Sequence, residues 1–299
     1  MDDERSDDRA APLDAGPDTY IGRDDPGEAE RLRRQRAGDA DELARALAGC
    51  ALPPAPRVLE VGCGAGAFTA ALLSALPDAR IIALDRNPDL LAAAARALGD
   101  AAAPGGRVAL LRGDAARLPF ATRAFDLVAC RCVLMHQTDP MQAVAEMHRV
   151  ADTGGYALAI EPDWGARALY PDGEALAALL DLARRGRRHG FPDVMIGRQL
   201  FALFRAAGFA PVRVLATSFL ATADDVTTVA AETEAGASAG PERLLEQGRG
   251  LLRAAGLATD ADLDHLIARL AAIPRSQDYC SLGVDLAVIG AKPAPPLLP

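Results

Sequence analysis

Lysine is all but missing from this chain: Lys292 stands alone among 299 residues, and arginine carries the rest of the positive charge. An Ala/Arg-rich, Lys-poor composition follows from the codon bias of a GC-rich genome and implies no mechanism. Aromatics are scarce as well, at 4% with one tryptophan, so the core must be built from Ala, Leu and Val with less area buried per residue. No apolar run approaches the eighteen residues that a membrane-spanning helix needs. The N-terminus is acidic where a secretory signal would be basic and then apolar, which leads us to expect a soluble, cytoplasmic protein. A basic stripe is also lacking. The net charge is −9, of which the first eighteen residues contribute −5, and a nucleic-acid partner is not expected. The basic run Arg184–Arg188 reads more readily as a solvated helix face than as an anion site. Five cysteines give an odd count, and Cys130 and Cys132 have no second Cys/His pair at zinc spacing. Small buried thiols are therefore expected for most of them, and no metal.

What is present is a rhythm. Residues 1–18 read as a disordered acidic tail and 19–56 as a helical cap, with a helix from about Gly27 to Ala48 closed by Pro53, Pro54 and Pro56. Residues 57–299 then form the main domain. Short apolar strands alternate with helices: Arg57–Val61, ARIIALD, RVALLRGD, AFDLVAC and GGYALAIE are strands, with helices after the first, second and fourth. Such alternation implies a parallel sheet with right-handed crossovers. Helices at 173–188 and 196–207, a strand PVRVLATSFL, further helices within 222–275 and a last strand SLGVDLAVIGAKP follow.

The densest signal is VLEVGCGAGAFT, a strand running into Gly62, Gly64 and Gly66 and then a helix. Glycine permits the sharp turn and lets a ligand approach the backbone. The helix start adds free N–H groups and a positive dipole end. Gly62, Gly64 and Ala67 also satisfy the dinucleotide pattern, so the turn alone does not choose its ligand. Asp85, nineteen residues past Gly66 at the end of the second strand, suits ribose hydroxyls in either case. Three features favour a cationic adenosyl ligand: Glu60 inside the first strand, the polar turn Gly113–Asp114–Ala115, and a fourth strand running directly into a short helix.

At these residues the chain resembles the class I S-adenosylmethionine-dependent methyltransferases, in the small-molecule group labelled type 11 or ubiquinone/menaquinone-biosynthesis-like. The resemblance runs from about Val58 to Trp164, through VLEVGCGAG, ALDRNP, GDAARLPF, FDLVACRCVLMH and VADTGGYALAIEPDWG. It implies a doubly wound seven-stranded sheet of order 3-2-1-4-5-7-6 with the last strand antiparallel. Helical lid insertions are expected at about 164–195 and 222–275. It also implies that S-adenosylmethionine is bound and leaves as S-adenosylhomocysteine. On this resemblance Gly62, Cys63 and Gly64 contact the methionine part, and Glu60 orders their loop. Asp85 takes the ribose, Arg86 lies beside the adenine, and Gly113, Asp114 and Ala115 meet the adenine edge. Cys130 and Arg131 line the floor under the methionine chain, and Tyr20 and Gln35 face the site from the N-terminal cap.

Methyl transfer is chiefly a matter of holding reactants in line, and a base is needed only if the acceptor loses a proton. His136 is the candidate base and substrate contact, with packing of the following helix as its structural alternative. Glu161 and Asp163, after the fifth strand, are further catalytic candidates, and Trp164, His189 and Arg198 are candidates for acceptor binding. The expected partner is a small organic acceptor, plausibly of specialised metabolism, with no membrane; a homodimer is admitted. A nicotinamide-dependent oxidoreductase and a non-catalytic cofactor-binding partner subunit stand as alternatives.

Overall fold

The computed structural model describes residues 40–224 and 241–294, together with Gly27, Ala29 and Leu32. The expected acidic tail, Tyr20 and Gln35 lie outside the described residues. Eight strands form one sheet: β1 (Arg57–Val61), β2 (Arg80–Asp85), β3 (Val108–Arg112), β4 (Phe125–Arg131), β5 (Ala151–Pro162), β6 (Ala168–Tyr170), β7 (Val212–Thr222) and β8 (Cys280–Ala291). β1 to β5 lie parallel in the order β3-β2-β1-β4-β5. β8 then pairs antiparallel with β5 on one side and with β7 on the other, giving the expected order under shifted numbers. The eighth strand is the difference. β6 pairs with Leu282–Cys280 of β8, beyond the stretch that β5 covers, and three residues are too few to show a period.

The parallel strands are near-continuous apolar runs because both faces are covered. Val58, Ile81, Leu127 and Leu158 pack on one face, where α1 (Ala40–Leu47) and α2 (Ala67–Ala75) lie. Leu59, Leu84, Val128 and Ala159 pack on the other. There α4 (Pro140–Val150) and α6 (Leu200–Ala206) contribute Met147 and Phe204. Side chains explain the helix ends. Asn87 accepts from the amides of Asp89 and Leu90 to start α3 (Pro88–Leu98), and Asp139 does the same for Met141 and Gln142 at α4. α4 closes on the single lysine. Lys292 Nζ donates to the carbonyls of His148, Arg149 and Ala151 at 2.8, 3.2 and 2.9 Å, placing a cation at the negative helix end.

The expected helix at 196–207 begins as a 3-10 turn, Ile196–Gln199, before α6. α5 (Gly173–Gly186) packs with α7 (Pro241–Ala254) and α8 (Asp260–Ala272), and Arg269 ties α8 to Asp172 by a two-pronged pair. Among the described residues no helix is long and apolar enough to cross a membrane.

Candidate active site

A cleft holding about 1050 Å³ of open space lies beyond the carboxyl ends of β1, β2 and β4, where ligands bind in sheets of this kind. Its floor is the glycine turn. Gly62 and Gly66 have φ of 74° and 88°, in the left-handed region. A Cβ on Gly62 would overlap the Val133 side chain across the cleft, and one on Gly66 would press within 3.3 Å of Ala94 on α3. The first glycine thus admits the opposite wall, and the last lets two helices approach. The amides of Gly62 and Cys63 donate to the Leu84 carbonyl at 2.7 and 2.9 Å, fastening the turn to β2.

Asp85 is the carboxylate that orders the loop. It accepts from the amides of Gly64 and Asn87, both at 2.8 Å. Glu60, expected to order the loop, lies buried in β1, and no loop amide donates to its oxygens among the described residues. Burial lifts the Glu60 carboxyl to about 8; the Thr69 hydroxyl opposes this and the Asp85 charge adds to it. Burial also raises Asp85 and the Cys63 thiol above their usual ranges.

At the far end of the cleft a Cβ on Gly113 would come within 2.5 Å of Leu84, so the β3 turn lies flat on β2. Asp114 accepts from the Ala116 amide at 3.0 Å and faces Arg86 at 3.9 Å. Ala115 is buried beneath them. These residues line the cleft.

The β4 side sorts the candidates more sharply. Arg131 lines the cleft and pairs with Asp285 of β8 at 4.0 Å. Cys130 does not line it. Consecutive strand residues point to opposite faces, and Cys130 is fully buried with its sulfur 4.0 Å from that of Met147. Cys132 takes the place expected of it, in the cleft wall with φ of 53°. His136 lines the cleft beside Gln137, on the 3-10 turn Leu134–His136.

Neither carboxylate at the end of β5, Glu161 within it or Asp163 just past it, lines the cleft. Glu161 is fully buried and accepts from the amides of Val133 and Leu134, both at 2.7 Å. Burial lifts it to about 7 against those hydrogen bonds. Asp163 is also buried and binds Arg198 through two contacts of 2.8 Å, with the Gly165 amide at 3.1 Å. Both residues, expected as catalytic candidates, are placed by the structure in internal hydrogen bonds away from the cleft lining. Arg198 lines a separate hollow with Arg184 and Arg187. His189 sits on a neighbouring 3-10 turn, and Trp164 packs under Arg167, 5.9 Å from its ring centre. None of these three lines the main cleft. Sequence reasoning missed Leu32, Asn87, Val133 and Gln137 as lining residues. Asn87, Val133 and Gln137 carried a signal, lying in or beside the motifs that hold Arg86 and His136.

A family model described as a methyltransferase domain matches residues 59–159. A demethylmenaquinone methyltransferase of Geobacillus stearothermophilus is 32% identical over 187 residues, covering 54% of this chain and 74% of that one. The chain belongs to the class I S-adenosylmethionine-dependent methyltransferases, in the type 11 group. An uncharacterised transposon protein of Streptomyces fradiae is 34% identical over 197 residues, 62% of this chain and 54% of its own length. The chain spans about half the length of the first curated relatives it matches. Among solved structures, a Haemonchus contortus phosphoethanolamine N-methyltransferase 2 in complex with S-adenosyl-L-methionine shares the fold. It has a TM-score of 0.55 at 16% identity, covering 93% of this chain and 60% of that one.

Proposed function

We propose that this methyltransferase binds S-adenosylmethionine in the cleft and transfers its methyl group to a small organic acceptor, releasing S-adenosylhomocysteine. The observation that carries the reading is the Asp85 carboxylate on the Gly64 amide, at the mouth of a turn where a Cβ on Gly62 has no room. Backbone amides and an acid meet a ligand there, with Val133 packed against the turn as the cleft wall. The chemistry of the donor set fits too. Asp85 and Asp114 bring two carboxylates to the cleft, which suits a sulfonium and an ammonium group and repels the pyrophosphate of a dinucleotide.

Bound there, S-adenosylmethionine supplies an electrophilic methyl group on a sulfonium. The residues do the rest. Asp85 keeps lone pairs beyond those given to Gly64 and Asn87 and accepts from ribose hydroxyls. Asp114 and the Ala115 amide hold the adenine edge beside Arg86, and Arg131 lines the floor under the methionine chain. His136 takes the acceptor's proton. The segment 164–195 and the helices α7 and α8 shape the acceptor side. Support for a small acceptor comes from the net charge of −9 and from relatives named for demethylmenaquinone.

Thermal-shift titration tests the cofactor. S-adenosylmethionine and S-adenosylhomocysteine should each stabilise the fold by about 2.7 kcal/mol at a hundredfold excess over Kd, and NAD should not. Stabilisation by NAD alone would overturn the reading. An acceptor screen following S-adenosylhomocysteine release tests transfer. With an acceptor in hand, His136→Ala should slow turnover by about 10²-fold or more without changing S-adenosylhomocysteine affinity; unchanged turnover would leave His136 as wall alone.

A further inference from the structure

β5 holds the loop after β4 through two consecutive residues. The Ile160 carbonyl accepts from the Cys132 amide at 2.9 Å. The Glu161 carboxylate, fully buried, accepts with its Oε1 from the next two amides, Val133 and Leu134, at 2.7 Å each. Its Oε2 is buried and meets no donor among the described residues. The loop needs such holding, because Cys132 carries φ of 53°, a conformation that side-chain-bearing residues rarely adopt.

What is held is a wall of the cleft. Cys132, Val133, His136 and Gln137 all line it. Val133 occupies the space a Cβ on Gly62 would take, so it lies directly against the glycine turn. A line of contact therefore runs from β5 through Glu161 and Val133 to the floor of the site.

We infer that Glu161 is a positioning residue for cofactor binding: it clamps the Val133 and Leu134 amides and so sets the gap between the cleft wall and the glycine turn. The inference rests on reading the cleft as the S-adenosylmethionine site. An apolar side chain at 161 leaves two buried amides without an acceptor. They regain one only by turning toward water, and the cleft that this loop lines is open to solvent. A glutamine keeps a carbonyl oxygen for both amides, and its own NH₂ occupies the place of the unpartnered oxygen.

Calorimetric titration with S-adenosylhomocysteine, thermal unfolding and hydrogen exchange on wild type, Glu161→Gln and Glu161→Leu test this. Wild type should bind; if it does not, the cofactor reading fails before any variant is compared. Glu161→Gln should bind within about twofold of wild type. Glu161→Leu should bind about tenfold more weakly or worse, with faster exchange confined to residues 132–136. Wild-type affinity in Glu161→Leu, or equal losses in the Gln and Leu variants, overturns the proposal. So does a fall in melting temperature with unchanged Kd, which would make Glu161 a stabiliser of the fold alone. Should Glu161→Leu not fold, Glu161→Asp replaces it, its oxygen drawn back by one methylene, and the same affinities decide.

Discussion

Replacing Gly62 with alanine loads the glycine turn in two separable ways. At φ of 74° an L side chain costs roughly 1–2 kcal/mol. The new methyl would also overlap Cγ2 of Val133 and lie 3.2 Å from its Cγ1. Overpacking of that kind costs about 1–3 kcal/mol as the surroundings shift. Val133 has little room to retreat, because its amide is held by Glu161 at 2.7 Å. Together the two effects come to about 2–5 kcal/mol. At about 2–4 °C per kcal/mol for a large domain, the melting temperature should fall by roughly 4–20 °C. The displaced wall belongs to the cleft, so S-adenosylhomocysteine affinity should fall about tenfold or more alongside. Val133→Ala in the same chain removes the overlap and leaves the left-handed cost. The four proteins of the cycle, compared by thermal unfolding and calorimetric titration, should therefore show a coupling of about 1 kcal/mol or more. Strictly additive losses would refute the overlap, and a Gly62→Ala protein indistinguishable from wild type would refute both parts.

Three further outcomes follow from the buried charges. Burial raises Glu60 from 4.5 to about 8 in the fold, so between those pH values the folded protein keeps a proton that the unfolded chain has released. Its stabilisation is full below about pH 4.5 and is lost as pH rises through 8, at up to about 1.4 kcal/mol per pH unit. Glu60→Gln should flatten that fall in urea unfolding between pH 5 and 8; a wild-type slope in the variant would refute the assignment. Asp163→Ala breaks the two contacts to Arg198, which is 51% exposed and can resolvate, so the cost should be about 1–3 kcal/mol. Turnover per folded molecule should hold, and a hundredfold loss at intact stability would return Asp163 to the chemistry. Lys292→Met strips three carbonyls of their donor and should lower stability by about 1–3 kcal/mol in denaturant titration; a change below 0.5 kcal/mol would show that water replaces the ammonium.

Much of the site was legible in the sequence because backbone chemistry fixes it. A strand followed by Gly62–Gly66 and a helix has one workable geometry, and successive parallel strands bring Asp85 and Asp114 to adjacent strand ends. Apolar runs punctuated by Gly and Asp marked the strands and crossovers, whereas their order came from the family resemblance alone. Where a side chain had to choose a direction, the sequence was silent. Cys130 and Arg131 are neighbours, yet the alternation of a strand puts only Arg131 in the cleft. Glu161 and Asp163 share an edge of the sheet with the cleft and both turn away from it. Their partners, Val133 and Arg198, lie 28 and 35 residues off in the chain.

The sequence by itself determined that this chain builds a parallel sheet with a glycine turn and a line of acids at its carboxyl edge. Local conformation and strand period suffice for that, since each feature is decided within a few residues. The tertiary structure decided which acids are available to a ligand. Burial and partner choice depend on elements that meet only in the fold, and they engaged Glu161 and Asp163 internally and left Asp85 and Asp114 in the cleft.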